Sequence, residues 1–188
     1  MNPYAARTHK EMLDVLRDQE TPGPAIHYYM IRGGSDKKNI TIWEPGMIGD
    51  EYVKSYGHYH VQDFDERYEI LAGEGMLLLQ TRELDARGMP IDASIASFRA
   101  IRVKAGDIAD IPRRAGHLMV NTGTTWLVTR DNSPVNLDAA ESASRPQHAD
   151  YAPYKKMRGA AYYVVNKAGK PALEKNPAYK KVPPASIE

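Results

Sequence analysis

Apolar positions near the start of the chain follow a helical spacing. Met12, Leu13, Val15 and Leu16 fall near one face, behind Thr8 and Glu11, which stand three apart like the two partners of a capping box. The Thr21-Pro-Gly-Pro24 run ends this predicted helix. From there the pattern changes to short runs of β-branched, aromatic and Leu residues broken by Gly, Pro, Asn and Asp. The runs cover 25–31, 39–43, 51–60, 67–71, 75–80, 98–103, 108–111, 118–121 and 126–129. Such a regular series of short strands predicts an antiparallel sandwich or barrel. The polar stretch 82–97, with Gly88 and Pro90, reads as a loop inserted between two core strands. A second irregular stretch, 132–157, is too long for an ordinary connection and reads as a lid or a segment wrapped over the core. Residues 161–165 offer one more strand, with a hairpin turn at 166–170, and the Pro- and Lys-rich end from 171 reads as a loosely held tail.

Length fits this pattern to one domain. A chain of 188 residues is read as a single unit over 1–188, with a core at about 25–131, a lid or wrapping segment at 132–165 and a tail at 166–188. Charge removes one class of partner: 25 Lys and Arg against 24 Asp and Glu give a net charge of +1, with no pull toward nucleic acid. The 42% hydrophobic content, with 12 Tyr, supplies a core and excludes global disorder. The chain has no cysteine, so disulfides, thiolate metal sites and cysteine nucleophiles are all absent. The opening MNPYAARTHKEMLDVL has no apolar signal core, and no run is apolar for the length of a membrane span. A cytoplasmic protein with no membrane partner is expected.

Four residues carry the candidate chemistry: His58, His60, Glu66 and His117. On a strand, His58 and His60 point the same way and present two imidazoles side by side. Glu66 follows a five-residue connection that could turn the chain into the next strand, and His117 would complete the set. Three neutral imidazoles and one carboxylate suit one divalent first-row ion per chain. The donors alone do not choose among iron, nickel, manganese and zinc, and iron is taken as the first expectation among them. Gly73-Glu-Gly75 leads into Met-Leu-Leu-Leu, a strand, so it is not a dinucleotide fingerprint, and no organic cofactor is expected.

Both halves of this pattern resemble the two motifs of the cupins. The first is a His-x-His followed by a Glu and, seven residues on, Gly73. The second runs Gly106, Pro112, His117, Asn121, with Arg114 where an inner Gly usually stands. The resemblance implies an all-β fold, the double-stranded β-helix or jelly-roll-like small barrel, with a short N-terminal helix and an extended C-terminal segment.

The flanking residues are more specific. Asn39-Ile-Thr-Ile-Trp-Glu-Pro-Gly46, Ser55-Tyr-Gly-His-Tyr-His60, Glu66-Arg-Tyr68 and Gly73-Glu-Gly-Met-Leu-Leu-Leu-Gln80 are similar to the metal-dependent cupin glucose-6-phosphate isomerases, best known from archaea. Over about residues 25–130, this implies aldose–ketose interconversion of glucose 6-phosphate and fructose 6-phosphate. The implied phosphate pocket falls on Thr41, Ser55, Gly57 and Tyr68, with a further Tyr from the first strand, either Tyr28 or Tyr29. Beyond His117 the similarity weakens: Ser133-Pro134 stands where the family has Tyr-Pro, and His148-Ala-Asp-Tyr151 where it has His-Asp-Tyr-Gly. Glu66 is the implied base, and His148 a second catalytic candidate that a surface-loop reading also fits. Proton transfer through Glu66 and a metal-assisted hydride shift both remain open. So do another metal-dependent cupin enzyme, such as an iron dioxygenase or another sugar isomerase, and a non-catalytic cupin that binds a sugar or a metal. A phosphosugar partner follows from the family, and a homodimer by analogy with other cupins.

Overall fold

The computed structural model describes residues 4–33, 38–134 and 148–188. In chain order its elements begin with β1 (Tyr4–Thr8), α1 (His9–Met12), β2 (Ile26–Ile31), β3 (Asn39–Trp43), β4 (Met47–Ile48), β5 (Glu51–Tyr52) and β6 (Tyr59–His60). The long strands follow: β7 (Glu66–Ala72), β8 (Glu74–Leu84), β9 (Pro90–Lys104), β10 (Ile108–Ile111), β11 (Gly116–Asn121) and β12 (Leu127–Asp131). The chain closes with β13 (Ala149–Asp150), α2 (Ala152–Lys156), β14 (Tyr162–Lys167) and β15 (Lys170–Lys175).

Two sheets make the sandwich. One has six strands in the order β1-β2-β3-β12-β7-β10, and the other has three, β11-β8-β9. Backbone bonds widen the second sheet on both flanks. On one side residues 53–58 run along β11 through Ser55 N to Met119 O at 2.8 Å and Asn121 N to Val53 O at 2.9 Å. On the other, the C-terminal residues run along β9, with Glu188 N donating to Ala100 O at 2.8 Å. Tyr28, Trp43 and Ile70 from the first sheet and Leu77, Leu118 and Val120 from the second join one buried cluster. Met76, Leu77, Leu78 and Leu79 are all buried, so both faces of β8 are covered, which explains an unbroken apolar run where an edge strand would alternate. This is an all-β sandwich with a short N-terminal helix and an extended C-terminal segment, in line with the fold that the motif resemblance implies. Its hydrogen bonds divide among separate sheets rather than closing one small barrel.

Four expectations need correction. The capping box is present, with Thr8 N donating to Glu11 Oε2 at 2.9 Å, yet α1 has only four residues and continues as a 3-10 turn at Leu13–Val15. The residues before it are claimed by β1, which pairs with β2. The expected single strand 51–60 is broken between β5 and β6, because Gly57 adopts φ +82. Its missing side chain also matters: a Cβ there would lie 2.4 Å from the Tyr154 ring.

The stretch 82–97 is mostly strand, since β8 and β9 extend as one long hairpin turning at Gly88. Residues 171–188 are not loose either. Part forms β15, and Asn176 and Tyr179 are buried, with Asn176 Nδ2 donating to Met157 O and Ala160 O, both at 2.9 Å. Of the irregular stretch 132–157, residues 135–147 lie outside the described residues. Its end supplies β13, paired with β6, and α2.

Candidate functional site

His58 and His117 are brought together by the backbone. His58 N donates to His117 O at 3.2 Å and His117 N to His58 O at 3.0 Å, so the two residues oppose each other across a hydrogen-bonded antiparallel pair. Their rings lie 4.4 Å apart. His60, two residues on, adds a third ring 5.0 Å from His117 and stacked 4.0 Å from Phe64. One ring nitrogen from each of the three lies within 4.8 Å of the other two. Glu66 comes from the opposite sheet, at the first residue of β7, and places Oε2 3.0 Å from His60 Nε2 and 3.1 Å from His117 Nε2. The four predicted ligands therefore meet where the two sheets face each other.

Arg114, at the place of the usual inner glycine just before β11, holds φ +64, the left-handed conformation that a glycine adopts without strain. The backbone shape of the motif is kept although the residue is changed.

Burial sets the charge state of the cluster. It pushes the His117 imidazole down to about 3 and His58 well below its ordinary value, with neighbouring imidazoles adding to both effects. Both rings are neutral at physiological pH, the state in which imidazole binds a metal. Glu66, 2% exposed, is pushed up to about 7 by burial, against a hydrogen bond from His60 that opposes the rise. His58 Nε2, His60 Nδ1 and both ring nitrogens of His117 are buried without a hydrogen-bond partner among the described residues. The close approach of His117 Nε2 to Glu66 lacks hydrogen-bond alignment. Buried imidazole nitrogens left unpaired beside a carboxylate fit a divalent cation well.

One cavity joins this cluster to the expected phosphate set. Thr41, Ser55, Gly57, Tyr68 and His148 line it together with His58, Glu66 and His117. Of the two early tyrosines, Tyr28 lines the same cavity, whereas Tyr29 donates to Glu44 Oε1 at 3.0 Å. Ser55 and Gly57 also have structural duties: Ser55 Oγ accepts from Met119 N at 2.9 Å, and Gly57 makes room for Tyr154. His148 is not a surface residue. It is 9% exposed, its ring is 5.7 Å from His58, and burial pushes it down to about 4.

Among the lining residues that sequence reasoning did not assign to the site are Arg32, Asp131, Ser133 and Tyr151. Asp131 ends β12 and Arg32 follows the last residue of β2, and only the pairing of β2, β3 and β12 makes them neighbours. Ser133, where a Tyr was expected, lines the cavity and donates its hydroxyl to Asp131 Oδ1. The Tyr151 ring lies 5.4 Å from His58, an aromatic supplied from a later position in the chain.

A family model described as glucose-6-phosphate isomerase (GPI) matches residues 27–181. The glucose-6-phosphate isomerase of Pyrococcus abyssi is 37% identical over 84 residues, covering 44% of this chain and 38% of the relative. That of Thermococcus onnurineus is 28% identical over 141 residues, covering 74% of this chain and 62% of the relative. The chain thus spans less than two thirds of the length of these relatives. Among solved structures, a predicted oxalate decarboxylase from Thermotoga maritima overlaps 55% of this chain and 76% of its own, at 20% identity and a TM-score of 0.37. The Lactobacillus farciminis oxalate decarboxylase formate complex overlaps 58% of this chain and 33% of its own, at 17% identity and a TM-score of 0.40. A match that takes in β2 through β15, with both histidine-bearing motifs inside it, means that this chain belongs to the glucose-6-phosphate isomerase family.

Proposed function

We propose that this protein is a metal-dependent aldose–ketose isomerase that interconverts glucose 6-phosphate and fructose 6-phosphate. The observation that carries the reading is the single cavity in which the His58, Glu66 and His117 cluster faces Thr41 and Tyr68. His58, His60, Glu66 and His117 would hold one divalent ion, iron by preference, with nickel, manganese or zinc accepted by the same donors. When bound, the ion supplies Lewis-acid stabilisation of negative charge developing on O1 and O2 of the opened sugar.

The remaining work falls to side chains. Thr41 and Tyr68 donate hydroxyl hydrogen bonds to the phosphate, with Ser55 and the Gly57 backbone beside them. Glu66 would take the proton from one sugar carbon and return it to the next when it is off the ion, because a metal-bound carboxylate is a weak base; with Glu66 on the ion, a hydride shift between the two carbons takes its place. His148, neutral and within the cavity, is placed to serve the sugar's oxygens. A second aromatic hydroxyl, from Tyr151, stands in for the Tyr that Ser133 replaces.

We also propose that the protein works as a cytoplasmic homodimer folded as one cupin domain. No helix among the described residues is long and apolar enough to cross a membrane.

The test is a coupled assay in both directions, with chelated protein and with each metal added back. Turnover that vanishes with chelator and returns with metal supports the proposal. Full metal occupancy with no turnover in either direction overturns it. When the reaction is run in deuterium oxide, a proton that exchanges on Glu66 during transfer puts deuterium at C1 or C2, and label in the product would exclude a pure hydride shift.

A further inference from the structure

The sheet register places a cation in the cavity that no motif announces. Arg32 stands one residue past the Ile31–Ile40 pair of β2 and β3, beside Asn39, which pairs with Asp131 of β12, which in turn pairs with Tyr68 of β7. Arg32, Asn39, Asp131 and Tyr68 thus form one row across the inner face of the six-stranded sheet. The next row holds Thr41, opposite both Met30 and Thr129. All four residues of the first row are buried.

Asp131 is fixed. Its Oδ1 accepts from Asn39 Nδ2 at 2.8 Å and from Ser133 N at 3.0 Å, and Ser133 Oγ donates to it as well. Its Oδ2 faces Arg32 Nη1 at 4.0 Å. Asn39 and Ser133 thus anchor the anion, and the guanidinium stands 4.0 Å from it on the cavity wall. Arg32 lines the same cavity as His58, Tyr68 and His148.

We propose that Arg32 is a specificity-determining residue for a phosphate dianion, with Asp131 as its positioning partner. The inference rests on the phosphosugar reading above and adds to it a cation that the hydroxyl donors do not supply. The cavity already contains the carboxylates of Glu66 and Asp131, so a substrate bringing two further negative charges needs a buried positive group close to Thr41 and Tyr68. Arg32 shares the row of Tyr68 and adjoins that of Thr41.

The experiment is calorimetric titration of the metal-free protein with inorganic phosphate and with a 6-phosphosugar acid, for the parent, Arg32→Gln and Arg32→Lys. The parent should bind both ligands. Arg32→Gln should bind each roughly tenfold to a hundredfold more weakly, as expected for the loss of a charge-assisted contact. Arg32→Lys should recover most of the loss, which a purely structural role for the guanidinium would not allow. Equal binding by the parent and Arg32→Gln overturns the role of Arg32 and leaves the phosphosugar reading standing. A parent that binds neither ligand overturns both. If Arg32→Gln does not fold, nitrogen NMR of the parent decides: the Arg32 guanidinium signal, assigned by its absence in Arg32→Lys, should shift on phosphate addition, and an unmoved signal refutes the proposal.

Discussion

Replacing Glu66 by Gln isolates the electrostatic cost of the metal cluster. In the folded, metal-free protein burial raises Glu66 from 4.5 to about 7. At about 1.4 kcal/mol per pH unit the shift corresponds to roughly 3 kcal/mol. The group is fully buried, so solvent screening does not reduce this figure. A carboxyl whose folded pKa lies above its unfolded one favours the fold fully below about 4.5, and that stability is lost as pH rises through about 7. The neighbouring imidazoles act in the opposite sense. Held down at about 3 for His117 and about 4 for His148, they stabilise above 6.5 and lose that contribution as pH falls toward those values. Parent and Glu66→Gln share the histidine contribution, so their difference cancels most of it.

Urea denaturation of both chelated proteins from pH 4.5 to 8 should therefore show the parent losing about 3 kcal/mol relative to Glu66→Gln across that interval. Metal added to the parent at pH 6 should release protons and reverse the loss. A stability difference independent of pH would show that Glu66 is not held in a desolvated site, and the metal cluster would lose its basis.

Other variants probe separate parts of the site. His117→Ala should lower metal affinity at least tenfold by elemental analysis after dialysis, and unchanged metal content would contradict the ligand set. Tyr68→Phe and Thr41→Val should each weaken phosphosugar binding by about 1.5–3 kcal/mol, read as a raised KM with metal content intact, and an unaltered KM would remove them from the phosphate pocket. Gly57→Ala should lower stability by roughly 1–3 kcal/mol, because the new Cβ meets Tyr154 at 2.4 Å and φ is +82; a melting temperature equal to the parent's would refute that packing.

Much of this site could be read from the chain because its signals are local. His58 and His60 are two apart on an extended segment, and Glu66 opens the next long strand. Strands β3 and β10 also fall at the bounds their apolar patterns give. What could not be read depends on register or on distant packing. Ile91, Ala93 and Ile95 alternate as a strand should, but the Gly88 and Pro90 turn signals beside them favour a loop, and only pairing with β8 shows the extended hairpin. The tail hides its anchors among lysines and prolines. Asn176 is buried because three carbonyls of the 157–160 turn need a donor, a demand no local pattern records. The row from Arg32 to Tyr68 joins strands far apart in the chain and needs the sheet order to be seen.

The central claim is that the imidazole and carboxylate cluster activates a phosphosugar isomerase, and stoichiometric metal titration of the chelated protein tests it most directly. Metal content and glucose 6-phosphate turnover are measured on the same samples. Turnover should rise linearly and level off at about one ion per chain, with His117→Ala silent at that ratio. Turnover that persists without metal, or full occupancy at His58, His60, Glu66 and His117 with no fructose 6-phosphate formed, would contradict the account.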